Sequence, residues 1–102
     1  MDIQEAIEII YIGLVSENSV PVKLRTNSEL DSDLLNHVRE ALDVLTQYHK
    51  YKETVPKKLA LAMVDIYGAF SFQAGYFEDD ILEELEAIGI ELQVKALELF
   101  SE

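Results

Sequence analysis

Residues 67–77 read YGAFSFQAGYF, and this stretch decides how the second half of the chain is interpreted. It holds five of the nine aromatic residues of the chain, with two glycines and two alanines between them. A helix that packs on one side needs only one apolar stripe. When the stretch is continued as a helix, its aromatic side chains fall on opposite sides, so the sequence predicts a helix with a second apolar face.

That helix is expected to run over residues 56–77, because proline is well suited to a first helical turn. A core stripe is predicted at Leu59, Met63, Ile66, Phe70 and Phe77. The second stripe, on the opposite side, consists of Leu61, Gly68, Phe72 and Tyr76. Glycine between large aromatic side chains would let a partner helix approach closely.

Three more helices are predicted, at about residues 2–15, 32–52 and 79–100. Asp2 followed by Glu5 is the pattern of a capping box. In the last helix Gly89 lies on the core side, where glycine usually admits another backbone. That helix also has a second apolar stripe, made by Ile90, Val94 and Leu97. The expected fold is a single all-α domain over 1–102, an antiparallel four-helix bundle with a long extended linker between helices 1 and 2.

The linker contains one alternating segment, residues 20–26, in which apolar positions are separated by Pro21, Lys23 and Arg25. This period is typical of a strand, but proline restricts any strand here to a sheet edge. We expect an extended segment that lies over the helices. The alternative is a strand that pairs with its own copy or with a partner.

Two helices with two apolar faces each predict self-association, since large exposed apolar patches on soluble proteins mark interfaces. We therefore expect a homodimer formed through helices 3 and 4. In one alternative, the linker and helix 1 cover these faces within one chain. In the other, the aromatic side chains line a ligand pocket.

The formal net charge is −12, and nine of the twenty acidic residues lie in 78–102. Such an excess of acid argues against nucleic acid as a partner, because phosphates would be repelled. A basic protein is a possible partner for an acidic strip beside the second stripe of helix 4, made by Glu83, Glu84, Glu91 and Glu98. Four of the eight basic residues cluster between helices 2 and 3, at Lys50, Lys52, Lys57 and Lys58.

The chain has no cysteine, which fits a reducing compartment, and we expect a soluble cytoplasmic protein. The first helix carries Asp2, Glu5 and Glu8 where a signal peptide would need basic residues. The longest apolar run, residues 9–15, is far shorter than the ~20 residues that span a bilayer. No membrane association is predicted.

Catalytic and cofactor motifs are not evident, so the chain is expected not to be an enzyme and to need no cofactor or metal. His37 lies near Asp33 and Glu40 in helical spacing, and His49 lies near Glu53. These spacings could serve a metal, although His49 fits a core position and His37 a surface position better. A small-molecule or metal-binding helical bundle remains the alternative to an interaction module.

Overall fold

The computed structural model describes residues 1–27, 29–64 and 66–101, and all regular structure within them is helical. The predicted all-α class is therefore confirmed. The helices are α1 (Ile3–Leu14), α2 (Val20–Asn27), α3 (Ser32–His49), α4 (Lys57–Met63) and α5 (Asp79–Leu99), with a 3₁₀ helix at Gly68–Phe70.

The starts of α1 and α3 follow from their capping residues. The Asp2 carboxylate accepts a 2.7 Å hydrogen bond from the backbone N–H of Glu5, and the Asp31 carboxylate accepts one of 3.0 Å from that of Leu34. Each bond satisfies a backbone donor that the helix itself leaves free. Behind these caps, α3 buries one side, which includes Leu35, Val38, Leu42 and Leu45.

The linker prediction is wrong, because residues 20–26 lie in α2 and are not extended. The Ser19 hydroxyl accepts a hydrogen bond from the backbone N–H of Val22, as an N-cap does, and Pro21 stands in the first turn, where its missing N–H has no consequence. Val20 and Leu24 are both buried. Val20 and Leu24 are four positions apart, so residues that alternate as in a strand can also lie on one side of a helix.

The predicted helix over 56–77 is also interrupted. Its regular α-helical part ends at Met63, and 71–78 contains no helix. Gly75 has a φ of +91°, a conformation that glycine adopts readily and that an α-helix excludes. The second stripe predicted for this segment is consequently divided, since Leu61 lies on α4 while Phe72 and Tyr76 lie beyond the 3₁₀ helix.

The helices pack in a short series of contacts. α3 packs against both α1 and α5, α4 packs against α1, and the 3₁₀ helix packs against α5. A Cβ atom on Gly13 would overlap the Val38 side chain, so glycine permits the close approach of α1 and α3. The buried interior includes Ile10, Leu42 and Phe70. Along the described residues, no helix combines the length and the apolar content needed to cross a bilayer.

Candidate interaction surface

The side of α5 that faces away from the core is apolar in its second half. Ile90 is 49% exposed, Val94 49% and Leu97 63%, although α5 buries Leu85 and Leu92 on its other side. The three exposed residues are four and three positions apart, which places them on one line along the helix. The predicted second stripe of this helix is thus present and accessible.

A cleft of about 540 Å³ lies between α4 and the C-terminal half of α5. Its lining is mainly apolar and includes Met63, Val64, Tyr67, Gly68, Leu97 and Phe100. Val64 is 80% exposed. Because Leu97 belongs both to the cleft and to the stripe on α5, the two form one continuous surface.

This surface continues across α4. Leu61 is 64% exposed and, together with Val64, lines a shallow depression that reaches Tyr11 on α1. We call this surface the apolar face; it consists of exposed apolar residues on α4 and the second half of α5 and of the residue directly after each helix, namely Leu61, Val64, Ile90, Val94, Leu97 and Phe100.

Tyr67 marks the boundary between the apolar face and the acidic first half of α5. Its hydroxyl donates a 2.9 Å hydrogen bond to the Glu86 carboxylate, one turn before Ile90. This hydrogen bond and the charge of Glu86 raise the pKa of Tyr67 above its ordinary value of 10.0, since both favour the protonated hydroxyl. The bond holds the tyrosine ring at the rim of the cleft.

The aromatic residues after the 3₁₀ helix form a separate cluster. The Phe72 ring centroid lies 5.2 Å from that of Tyr76 and 5.1 Å from that of Phe77, and the rings of Tyr76 and Phe77 are 4.9 Å apart. Phe72 and Phe77 are partly buried against the core. The Tyr76 hydroxyl donates a 2.8 Å hydrogen bond to the carbonyl oxygen of Arg25, which joins the cluster to α2.

The residues predicted for the interface are therefore distributed over two places. Gly68 and Leu97 line the same cleft, and Leu61 adjoins it. Phe72 and Tyr76 contact each other instead. Their separation could not be predicted from the sequence, because the apolar pattern continues into the aromatic residues although the α-helix ends at Met63.

The predicted acidic strip on α5 is similarly divided. Glu91 is held by Arg39 of α3, whose Nη2 lies 2.7 Å from Oε1 and whose Nε lies 2.9 Å from Oε2. This pair joins α3 to α5. Glu83, Glu84 and Glu98 are exposed and form no ion pair with any residue that the structure describes.

Lysine residues gather at the C-terminal end of α5. Lys50 and Lys52, in the connection between α3 and α4, line a depression of about 460 Å³ together with Glu53, Leu99 and Phe100. Within the described ranges neither lysine has an acidic partner within ion-pair distance. Lys52 Nζ instead lies 4.5 Å from the centre of the Tyr48 ring, a cation–π contact. The sequence shows that these lysines lie close together but not that they lie beside the C-terminal end of α5, which is more than forty residues further along the chain.

The histidines occupy the positions that the sequence favoured. His49 is 4% exposed, and its Nδ1 lies 2.9 Å from the Leu45 carbonyl oxygen. Because a carbonyl only accepts, Nδ1 must carry the hydrogen. His37 is exposed on α3. In residues 1–27, 29–64 and 66–101, no three His, Asp or Glu side chains lie close enough together to hold a metal ion.

Comparison with protein-family models, with curated proteins and with solved structures finds nothing that matches this chain. What the chain does is therefore inferred from its own surface. The main features of that surface are the apolar face, the acidic residues in the first half of α5 and the two lysines near its end.

Proposed function

We propose that this chain is a non-enzymatic interaction module that associates with a second copy of itself through the apolar face. The observation that carries the proposal is the joint exposure of Ile90, Val94 and Leu97 on α5 with Leu61 on α4 and Val64 directly after it. Contiguous apolar patches of this kind are uncommon on soluble monomers and mark contact surfaces.

The size of the apolar face suits association. Full burial of one Leu, Ile or Val side chain contributes roughly 1.5–3 kcal/mol, and these side chains have about half of that still to gain. Association costs roughly 4–15 kcal/mol in lost freedom of motion. Six residues on each of two copies together supply a contribution of the same order, whereas one or two exposed residues would not.

The proposal is tested by the molar mass in solution, measured by sedimentation velocity over a series of protein concentrations. The wild-type chain should show a mass that rises from monomer to dimer. Leu97→Glu places a charge in the middle of the apolar face and should leave a folded monomer. A matched control is Ile12→Glu, because Ile12 is 46% exposed but lies on α1, outside the apolar face.

The control variant should associate like the wild type. A wild-type chain that stays monomeric at every concentration would refute the proposal. So would a Leu97→Glu variant that keeps its circular dichroism spectrum and still forms the dimer.

A second candidate function is the binding of a small apolar molecule in the cleft between α4 and α5. Its volume of about 540 Å³ is in the range of ligand sites, and its walls are apolar with Tyr67 and Gln93 as polar groups. Nuclear magnetic resonance with a panel of small aromatic and aliphatic compounds would test it. Binding should shift the signals of Met63 and Gly68, and a Gly68→Leu substitution that fills the cleft should abolish the shifts.

A further inference from the structure

We infer that the two copies pair with their α5 helices antiparallel, so that the acidic first half of each α5 meets the lysines at the end of the other. This inference rests on the self-association proposed above and adds its geometry. It follows from how charge is distributed along one line of α5 and around its end.

Along the exposed side of α5, the side chains change from acidic to apolar half-way along the helix. Asp79, Glu83 and Glu86 precede Ile90, Val94 and Leu97 at successive steps of four, three, four, four and three residues. Such steps keep all six side chains on the same side of an α-helix. The first half of the line is thus acidic and the second half is apolar.

The positive charge lies beyond the apolar half. Lys50 and Lys52, together with one acidic residue, Glu53, line the depression to which Leu99 and Phe100 contribute at the end of α5. From the start of α5 to its end, the order is an acidic segment, an apolar segment and an end at which two lysines outnumber one glutamate. A surface with this order is complementary to itself when one copy is turned end to end, as a two-fold axis requires.

The spacing agrees with such an arrangement. If Ile90 of each copy lies opposite Leu97 of the other, Glu83 is opposite a point four residues beyond Phe100, which is about 6 Å at 1.5 Å per residue. Lys50 and Lys52 line a depression that adjoins this end of α5, and a lysine side chain can reach across about this distance. Each dimer would contain the contact twice.

The parallel arrangement is disfavoured by charge. It would place Asp79, Glu83 and Glu86 of one copy against the same three residues of the other, with no base between them. Each copy already has a formal net charge of −12, so two copies repel each other at long range. Local pairing of acid with lysine reduces this repulsion where the copies touch.

Charge reversal in two separate variants tests the arrangement. One variant is Glu83→Lys and the other combines Lys50→Glu with Lys52→Glu. In either homodimer the facing charges become alike, and we expect the dissociation constant to rise about tenfold. When the two variants are mixed, both facing pairs in the heterodimer are again of opposite sign, and the affinity should return to within about threefold of the wild type.

Glu40→Lys makes the same charge change as Glu83→Lys at an exposed position of α3, so it reports the effect of net charge alone. It should not weaken the dimer. A basic foreign protein could use Glu83 but would have no need of Lys50 and Lys52, so restoration on mixing is specific to self-pairing.

The outcomes separate the two proposals. A wild-type chain that never associates would refute self-association itself. A wild-type dimer whose affinity does not change in the two charge variants, or is not restored when they are mixed, would refute the antiparallel arrangement and leave self-association standing.

Discussion

The carbonyl oxygen of Tyr67 lies against Gly89. A Cβ atom added to this glycine would be 3.1 Å from that oxygen and 3.2 Å from Cβ of Phe70. The 3₁₀ helix is so close to α5 at this position that a side chain on residue 89 would require its neighbours to move. This contact places Tyr67 and Gly68 at the edge of the cleft.

The first prediction is that Gly89→Ala lowers the melting temperature. Alanine is favoured over glycine inside a helix by about 1 kcal/mol. Here the backbone oxygen of Tyr67 and the fully packed Phe70 cannot retreat easily, so the steric loss should exceed that gain. Thermal unfolding followed by circular dichroism measures the result. Ala87→Gly, at an exposed position of the same helix, measures the difference in helix propensity between alanine and glycine where no steric contact exists. A Gly89→Ala protein that is more stable than the wild type would contradict the close contact.

Gly89 also shows how much the sequence could predict. Its position on the core side of a regular amphipathic helix indicated a close backbone, and the structure confirms it. The stripes of α1, α3 and α5 were readable for the same reason, because each helix buries residues at steps of three and four. Position and type of these elements follow from local pattern alone.

The interruption after Met63 could not be predicted in this way. Ile66 and Phe70 are both buried, as a continuous helix would also have them, so the apolar pattern continues where the α-helix does not. The difference is made by contacts distant in sequence, including that of Tyr67 with Gly89. The division of the predicted interface and the placement of Lys50 beside α5 depend on such contacts too.

The second prediction concerns the ion pair of Arg39 and Glu91. Both side chains are about one third exposed, so solvent weakens the attraction, but the guanidinium contacts both carboxylate oxygens. A double-mutant cycle with Arg39→Met and Glu91→Gln should give a coupling of about 0.5–1 kcal/mol in urea unfolding. The coupling should decrease in 1 M NaCl, since salt screens exposed charges.

The pair of Lys95 and Asp43 provides the comparison for that cycle. It also joins α3 to α5, but through a single 2.8 Å contact to a carboxylate that is 65% exposed. Its coupling should be smaller. Equal coupling free energies for the two pairs would show that the contact of Arg39 with both carboxylate oxygens of Glu91 adds no stability in solution.

The third prediction is a dependence of stability on pH through Asp31. The hydrogen bond from Lys23 Nζ (2.6 Å) and that from the Leu34 backbone hold the pKa of Asp31 below its ordinary value of 3.8. A carboxyl with a lowered pKa stabilises the folded chain fully above pH 3.8, and this contribution is lost as the pH falls through the folded-state pKa. Lys23→Met should raise the pKa of Asp31 in a nuclear magnetic resonance titration. At pH 7 the Lys23→Met protein should have a lower free energy of unfolding than the wild type, and this difference should decrease in strong acid. The control variant Lys57→Met should leave the pKa of Asp31 unchanged.

The fourth prediction is that Tyr76→Phe loosens α2. The Tyr76 hydroxyl is bonded to the carbonyl oxygen of Arg25, in the last turn of α2, where carbonyls have no partner within the helix. Loss of one such bond at an exposed site should cost about 0.5–1.5 kcal/mol. Compared with the wild type, the variant should show faster hydrogen exchange in α2 and unchanged exchange in α3. Unchanged exchange throughout α2 would mean that the bond does not hold this helix.

The last prediction distinguishes a packing role for Phe72 from the interface role that the sequence suggested. Phe72 is partly buried, and its ring contacts Tyr76 and Phe77. A carboxylate in its place would have to be taken out of water without a partner, and the aromatic packing would be lost. We therefore expect Phe72→Glu to lower the melting temperature strongly while the molecules that remain folded still associate. Phe72→Leu keeps the site apolar and should be destabilised much less. A Phe72→Glu protein with a wild-type melting temperature that is monomeric at every concentration would instead place this ring in the contact between copies.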